Sequence, residues 1–234
     1  MKKTNKLYEG KAKILWETDD PKLMVQEFKN DATAFNGVKH EVIEGKGRLN
    51  NLISSSLLAL MDREGVRTHF IDRISDTEMV VERLEMMPIE VVVRNVAAGS
   101  MVKRLGVEEG RRFEPPIVEF YLKDDDLGDP VLSEEHVRAL GLATPDEIDL
   151  IKKEALTVNE VMSSFLRERG ITLVDFKLEF GKLDGEIVLG DEISPDTCRF
   201  HDAESGRIMD KDRFRQDLGG FLEAYSEILE RVSD

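Results

Sequence analysis

A single cysteine, Cys198, stands among 234 residues, so no disulfide can close within the chain and no thiolate cluster can hold a metal. The four histidines, His40, His69, His136 and His201, lack zinc-ligand spacing, so neither structural nor catalytic zinc is expected. No apolar run is long enough for a signal peptide or a membrane span; the protein is expected in the cytoplasm, with no membrane partner. Basic residues are the minority, 33 Lys and Arg against 48 Asp and Glu, giving a net charge of −15. A nucleic-acid partner requires clustered Lys and Arg and is not expected. Small phosphorylated ligands need only a local basic pocket, and the net charge does not argue against them.

What remains is a globular composition, 41% hydrophobic and 35% charged, sufficient for one large domain or two small ones sharing a cleft. The first quarter reads as β-rich: Lys6 to Trp16 and Leu23 to Phe28 are short strands around the turn Asp19-Asp20-Pro21, and Asn30-Asp31 and Gly37 mark a loop. Leu49, Leu52, Ile53, Leu57 and Leu60 recur at helical spacing, with Gly65 after the last turn. Thr68–Ile74 and Met79–Leu84 read as paired strands, Ile89–Val93 as a buried strand, Gly106 and Gly110 as bounds of a short linker, and Ile117–Leu122 as a further strand. Ser133-Glu134-Glu135 and Thr144-Pro145-Asp146-Glu147 carry helix-start chemistry, the second predicting a helix from Pro145 to Arg169. Leu173–Phe180 and Glu186–Leu189 form a hairpin about Gly181 to Gly185, and an amphipathic helix interrupted at Gly219-Gly220 runs from Lys211 to Val232. Strands first and helices around a late hairpin predict an α+β fold rather than a doubly wound sheet.

Four blocks can carry chemistry. In Val174-Asp175-Phe176-Lys177-Leu178-Glu179-Phe180 the strand period places Asp175, Lys177 and Glu179 on one face. The hairpin brings Glu179 towards Asp191 in Gly190-Asp191-Glu192, and two converging carboxylates suit Mg²⁺, a hard cation that binds phosphates alongside them. Lys177 would offset charge on a transferred phosphoryl group. Any half-buried strand also has one charged face, so a solvated edge is the plain alternative. Gly10-Lys11-Ala12-Lys13 offers backbone amides and two ammonium groups to a polyphosphate, or is a basic surface strand. Arg94 before Ala97-Ala98-Gly99-Ser100 reads equally as a phosphate grip and as a tight turn. Ile193 to Arg199 reads as a proline-stiffened loop presenting an arginine or as an ordinary turn.

Taken together these blocks resemble the SAICAR synthetase family. The matching segments are LYEGKAK (7–13), KGRLNN (46–51), PIEVVVRNVAAGS (88–100), LVDFKLEFG (173–181), GDEISPDTCR (190–199) and DKDRFRQDLGG (210–220), in the family's order. The resemblance implies an α+β fold related to ATP-grasp enzymes and kinases. Residues 1–85 would be a β-rich nucleotide-binding part and residues 86–234 a larger part carrying the metal and substrate sites. It implies a ligase that uses ATP and Mg²⁺ to join L-aspartate to carboxyaminoimidazole ribonucleotide in purine biosynthesis. By resemblance, Gly10, Lys11 and Lys13 hold the ATP phosphates, Arg83, Leu84, Glu85 and Met86 pass the adenine, and Lys123 touches the nucleotide. Glu179 and Asp191 hold the metal; Arg94, Ser100 and Arg199 grip the ribonucleotide phosphate. Lys177 meets the reacting carboxylate, Asp175 accepts a proton from the amine, Asp129 lies near the substrate, and a homodimer is expected. The chain departs from the family's pattern at Phe200-His201-Asp202, after Arg199, and at Gly128. A small-molecule kinase and a non-catalytic nucleotide-binding module are the rival readings.

Overall fold

The computed structural model describes residues 1–34 and 37–233. A first antiparallel sheet orders β1 (Lys3–Glu9), β2 (Lys13–Thr18), β3 (Leu23–Phe28), β7 (Glu78–Glu82) and β6 (Phe70–Arg73). The β2–β3 turn is closed by Thr18, whose hydroxyl donates to the Asp20 carbonyl at 2.8 Å. Between β3 and β6 lie a small hairpin, β4 (Asp31–Ala34) with β5 (Lys39–Val42), and helix α1 (Lys46–Arg63). The loop reading at Asn30-Asp31 and Gly37 gives way to this hairpin: each strand has only four residues, and the alternation in β4 rests on two small buried alanines, Ala32 and Ala34. Gly65, at φ 86, follows α1 as anticipated, in the left-handed conformation that suits glycine after a helix.

The second sheet begins where the chain enters β8 (Glu85–Val96). Its order is β10 (Val131–Leu132), β9 (Arg112–Leu122), β8, β11 (Ile171–Leu183) and β12 (Glu186–Gly190), with β13 (Cys198–Asp202) also paired to β11. The predicted β11–β12 hairpin is present, with Glu179 opposite Gly190. β13 begins inside Ile193 to Arg199, the segment read as a loop, and the short helix α2 (Ser100–Leu105) begins at the Gly-Ser pair read as a tight turn. The remaining helices are α3 (Glu134–Ala139), α4 (Pro145–Glu168), α5 (Asp212–Arg215) and α6 (Phe221–Val232). What was read as one interrupted final helix is thus two, because Gly219 and Gly220 both adopt positive φ. Helix α4 starts as its sequence predicts: Thr144 accepts from Glu147 N, and Glu147 accepts from Thr144 N at 2.8 Å, with Pro145 following. Its buried stripe, Ile148, Ile151, Ala155, Val158, Met162 and Leu166, packs on β8, β9 and β11.

One hydrophobic cluster runs beneath both sheets, joining Met24, Met79 and Val81 of the first to Ile89, Val91 and Phe176 of the second. The sheets are also stitched by backbone: His69 N donates to the Leu189 carbonyl at 2.9 Å and Leu189 N to that of Arg67 at 3.1 Å. No described helix is long and apolar enough to cross a membrane. The seam between the sheets, beside that stitch, is where the polar residues gather.

Candidate active site

Three joined cavities follow the seam. The first, about 310 Å³, is walled by Leu15, Met24, Val81, Leu84 and Met86. Leu15 shares a β2 face with Lys13, so the strand period that makes this wall apolar also points Lys13 to the cavity's far end. The segment Leu84 to Met86 forms another wall because two glycines lie under it. A Cβ on Gly181 would stand 2.7 Å from Leu84 Cβ, and one on Gly190 would stand 3.1 Å from Leu84 Cδ1. Sequence reasoning did not identify either glycine as a site residue; adjacent glycines on paired strands were the available signal. Arg83 instead pairs with Glu17 at 2.7 Å and does not line the cavity, and the Glu85 side chain is exposed.

The second cavity, about 390 Å³, is polar and shares Tyr8, Lys13, Lys123, Glu179 and Asp191 with the first. Glu179 and Asp191 therefore border one space, as the hairpin predicted. Each is clasped by lysines: Glu179 by Lys123 and Lys177, Asp191 by Lys13, with Lys177 3.9 Å from the second Asp191 oxygen. Lys177 also donates to Glu90 at 2.9 Å. Gly10 and Lys11 line the mouth, where Lys11 pairs with Asp125 at 2.7 Å and the Tyr8 ring lies against Gly10. Asp129 lines the same space at φ 49, its side chain accepting from Asp124 N at 3.0 Å. Asp191 also adopts a left-handed backbone, φ 60, and its carbonyl lies 2.9 Å from His69 Nε2. Non-glycine residues adopt that conformation at a cost and cluster at functional sites.

Electrostatics bind this lattice together. Burial opposes the charge on Lys13, but the carboxylates of Asp191, Glu192 and Glu179 outweigh it and hold the ammonium above its ordinary range. Lys177 is raised in the same way against burial by Glu179, Asp191 and Glu90. Asp191 is held well below the usual carboxylate range because Lys13 and Lys177 overcome its desolvation. His69 is pushed down to about 4 by burial.

The third cavity, about 230 Å³, shares Glu90, Lys177, Asp196 and Thr197 with the second and contains Arg94, Asp175, Arg199 and Arg215. Both oxygens of buried Asp175 are engaged: Arg94 Nη1 donates to Oδ2 at 2.6 Å, and Arg199 Nη1 reaches Oδ2 at 2.8 Å and Oδ1 at 3.0 Å. Arg94 is further fixed by Glu119 at 2.6 Å and Tyr121 at 2.9 Å, and Arg199 by Asp212 at 2.7 Å. Gly99, at φ 60 and ψ −132, lets Arg199 lie across the backbone; a Cβ there would stand 2.8 Å from Cζ. Ser100 opens α2 next to this contact, is exposed, and lines none of the three cavities.

Several lining residues escaped the sequence reading. Glu90 was the lone charge inside an apolar strand, a usable signal. Tyr8, His69, Glu192, Asp196, Thr197, Lys211 and Arg215 also line these cavities, and most are brought there by chain crossings that no local period encodes. Lys46 is fully buried at the start of α1 and pairs with Asp196 at 2.6 Å, which fixes the loop bearing Thr197.

An apolar slot that opens into interlocked lysines and carboxylates, and beyond them into an arginine-lined chamber, defines a nucleotide-using enzyme whose chemistry develops negative charge. Residues 6–232 match the family model described as SAICAR synthetase. The chain is 56% identical over 232 residues to the phosphoribosylaminoimidazole-succinocarboxamide synthase of Persephonella marina (strain DSM 14350 / EX-H1), across 99% of this chain and 98% of that one. Its structure is similar to the crystal structure of the synthase of that name from Ehrlichia chaffeensis, with a TM-score of 0.96, 44% identity and coverage of 97% and 98%. It is also similar to a SAICAR synthetase (Type-2) in complex with ADP, with a TM-score of 0.94, 51% identity and 97% of each chain covered. The chain belongs to the SAICAR synthetase family, ligases of purine biosynthesis.

Proposed function

We propose that the three cavities form one reaction path on which ATP, L-aspartate and carboxyaminoimidazole ribonucleotide give SAICAR, ADP and phosphate. The observation that carries this reading is the shared lining: Lys13, Glu179 and Asp191 face the apolar slot and the polar chamber, and Lys177 faces the polar and arginine-lined chambers. Adenine fits the slot against Leu84 and Met86, and the backbone of residues 83–86 is placed to read its edge. Gly10, Lys11, Lys13 and Lys123 then meet the phosphates. Residues 1–85 supply most of the nucleotide site, and residues 86–234 supply the acceptor site.

The donor set fits Mg²⁺. Among the described residues no group of three or more His, Cys, Asp or Glu converges on a metal position. Two carboxylates, Glu179 and Asp191, suit an ion that completes its shell with phosphate and water. When bound, that ion would neutralise charge on the transferred phosphoryl group. Lys13 and Lys123, which now neutralise Asp191 and Glu179, would become available to phosphate oxygens.

A free carboxylate is a poor electrophile. Lys177 steadies the imidazole carboxylate as one of its oxygens attacks the γ-phosphorus and ADP leaves. The aspartate nitrogen, deprotonated to its neutral amine, attacks the activated carbonyl carbon; phosphate departs with the oxygen it received, and the nitrogen gives up one proton and keeps the other in the amide. Arg94, Arg199 and the nearby Ser100 are assigned to the ribonucleotide phosphate, and Asp129 to the chamber's entrance. The resemblance casts Asp175 as proton acceptor. With both oxygens engaged by Arg94 and Arg199, it serves better to aim those two guanidiniums. We also place the enzyme in the cytoplasm as a homodimer, which light scattering of the purified chain tests.

The reaction is tested by ADP release. With magnesium present, ADP should appear only when both aspartate and the imidazole carboxylate are supplied. Turnover with an alcohol in place of aspartate would make the protein a kinase, and nucleotide binding without turnover in any mixture would make it a binding module.

A further inference from the structure

Another cavity, about 600 Å³, lies away from the reaction path and is larger than any of the three along the seam. Strand alternation puts it on the other face of the second sheet. Glu90, Val92 and Arg94 of β8 line the reaction cavities, whereas Asn95 turns to α4 and exchanges amide hydrogen bonds with Asn159 at 2.7 and 3.0 Å. Asn95 is thus a polar lining residue whose own bonds are met. The walls are apolar, formed by Val96, Phe113, Pro116, Ile171 and Leu173.

Two guanidiniums, Arg112 of β9 and Arg167 of α4, line this cavity, and among the described residues neither has a carboxylate partner. In a chain with 48 acidic and 33 basic residues an arginine without a carboxylate is unusual, and here two border one space. Arg167 only reaches Ser164 Oγ, at 3.3 Å. Its place in the last turn of α4 accounts for a positive charge at that helix end, but not for Arg112, which stands opposite Val96 in the sheet. Thr172 adds a hydroxyl that makes no hydrogen bond among the described residues. Glu114, two residues from Arg112 on the same strand, adds a carboxylate that pairs with neither arginine. Apolar walls with a few convergent polar groups, in a volume of roughly 300–1,000 Å³, are the usual form of a small-molecule site.

We infer that this cavity is a second nucleotide site, outside the catalytic cleft, and that it takes a nucleoside monophosphate. Arg112 and Arg167 donate to the phosphate, whose oxygens a guanidinium fork can meet two at a time. Thr172 donates a further hydrogen bond. Glu114 repels a bare anion but accepts from ribose hydroxyls, and the apolar walls take the base. Each polar group left unpaired at the cavity therefore has its counterpart in one molecule, whereas inorganic phosphate satisfies the arginines alone. None of these residues lines the reaction path, so the site stands whether or not the cleft carries out the ligase reaction.

AMP is the probe. Equilibrium dialysis with saturating ADP, magnesium and carboxyaminoimidazole ribonucleotide, and without aspartate, keeps the cleft filled and turnover off. One AMP per chain should still bind. Arg112→Gln and Arg167→Gln should each weaken it about 10-fold, the low end for a charge-assisted hydrogen bond, and the double variant about 100-fold. Adenosine and inorganic phosphate should each bind at least about 10-fold more weakly than AMP. The double variant should keep kcat and its KM values within about twofold of the native enzyme, because its changes lie outside the cleft. The site is overturned if ADP or the ribonucleotide displaces AMP, or if the double variant binds AMP as the native chain does. Phosphate binding as tightly as AMP would reduce it to a non-specific anion contact and overturn it too. Light scattering should give one mass for the native chain and the double variant; a lower mass for the variant would make the groove a subunit contact instead.

Discussion

Replacing Asp175 by Asn distinguishes an aiming role from a proton-accepting one. The carboxylate is 3% exposed and lies between two guanidiniums, one of them, Arg94, also 3% exposed. Asn preserves the volume but removes the charge, and its amide N–H groups have only donors to face on one side. Removing one partner of a buried ion pair costs about 3–5 kcal/mol. Arg94 keeps Glu119 and Arg199 keeps Asp212, so the lower end, about 3 kcal/mol, is expected here. For a chain of this length that corresponds to a melting temperature lower by roughly 6–12 °C. With both arginines released from their common anchor, the KM for the ribonucleotide should rise about 10- to 100-fold, the worth of one misaligned charged hydrogen bond. Denaturant unfolding gives the first quantity and steady-state ADP formation the second. Unchanged stability and KM, with kcat reduced by a factor of about a thousand, would refute the aiming role and make Asp175 a proton acceptor.

Gly181→Ala should weaken nucleotide binding. The added Cβ meets Leu84 Cβ at 2.7 Å and the Glu85 carbonyl at 3.1 Å, neither of which a side-chain rotation can move, so the slot wall must shift. A stability loss of about 1–3 kcal/mol and a selective rise in the KM for ATP are expected, read by unfolding and kinetics. His69 makes the fold acid-sensitive: buried and pushed down to about 4, it binds its proton more weakly than the unfolded chain does. Its contribution is therefore full above pH ~6.5 and lost as pH falls towards 4, an upper bound of about 3 kcal/mol. Urea midpoints across this range should decline in the native protein and decline less in His69→Gln.

Where local chemistry dictates structure, the sequence was readable. The Thr144-Pro145-Glu147 start of α4 and the glycine turn between β11 and β12 were both legible, and the strand period put Lys177 and Glu179 on the face that borders the cleft. Short elements were not: β13 lies just beyond Ser194-Pro195 and pairs with distant residues of β11, Cys198 with Phe176 and Asp202 with Ile171. The clasp of Arg94, Asp175 and Arg199 joins three strands, and each residue taken alone looked like a surface charge. Lys46 was hidden for a related reason. A lysine at the start of a helix reads as solvent-facing until the loop carrying Asp196 covers it.

The single apolar cluster under both sheets has a consequence for dissection of the molecule. Cut near residue 85, the leading fragment would present Met24, Met79 and Val81 to water, and the trailing fragment Ile89, Val91 and Phe176. Neither piece is a module that evolution or a protease could release intact. The nucleotide slot comes into being only when the whole chain condenses, so a fragment should be recovered as aggregate, not as a miniature ATP binder.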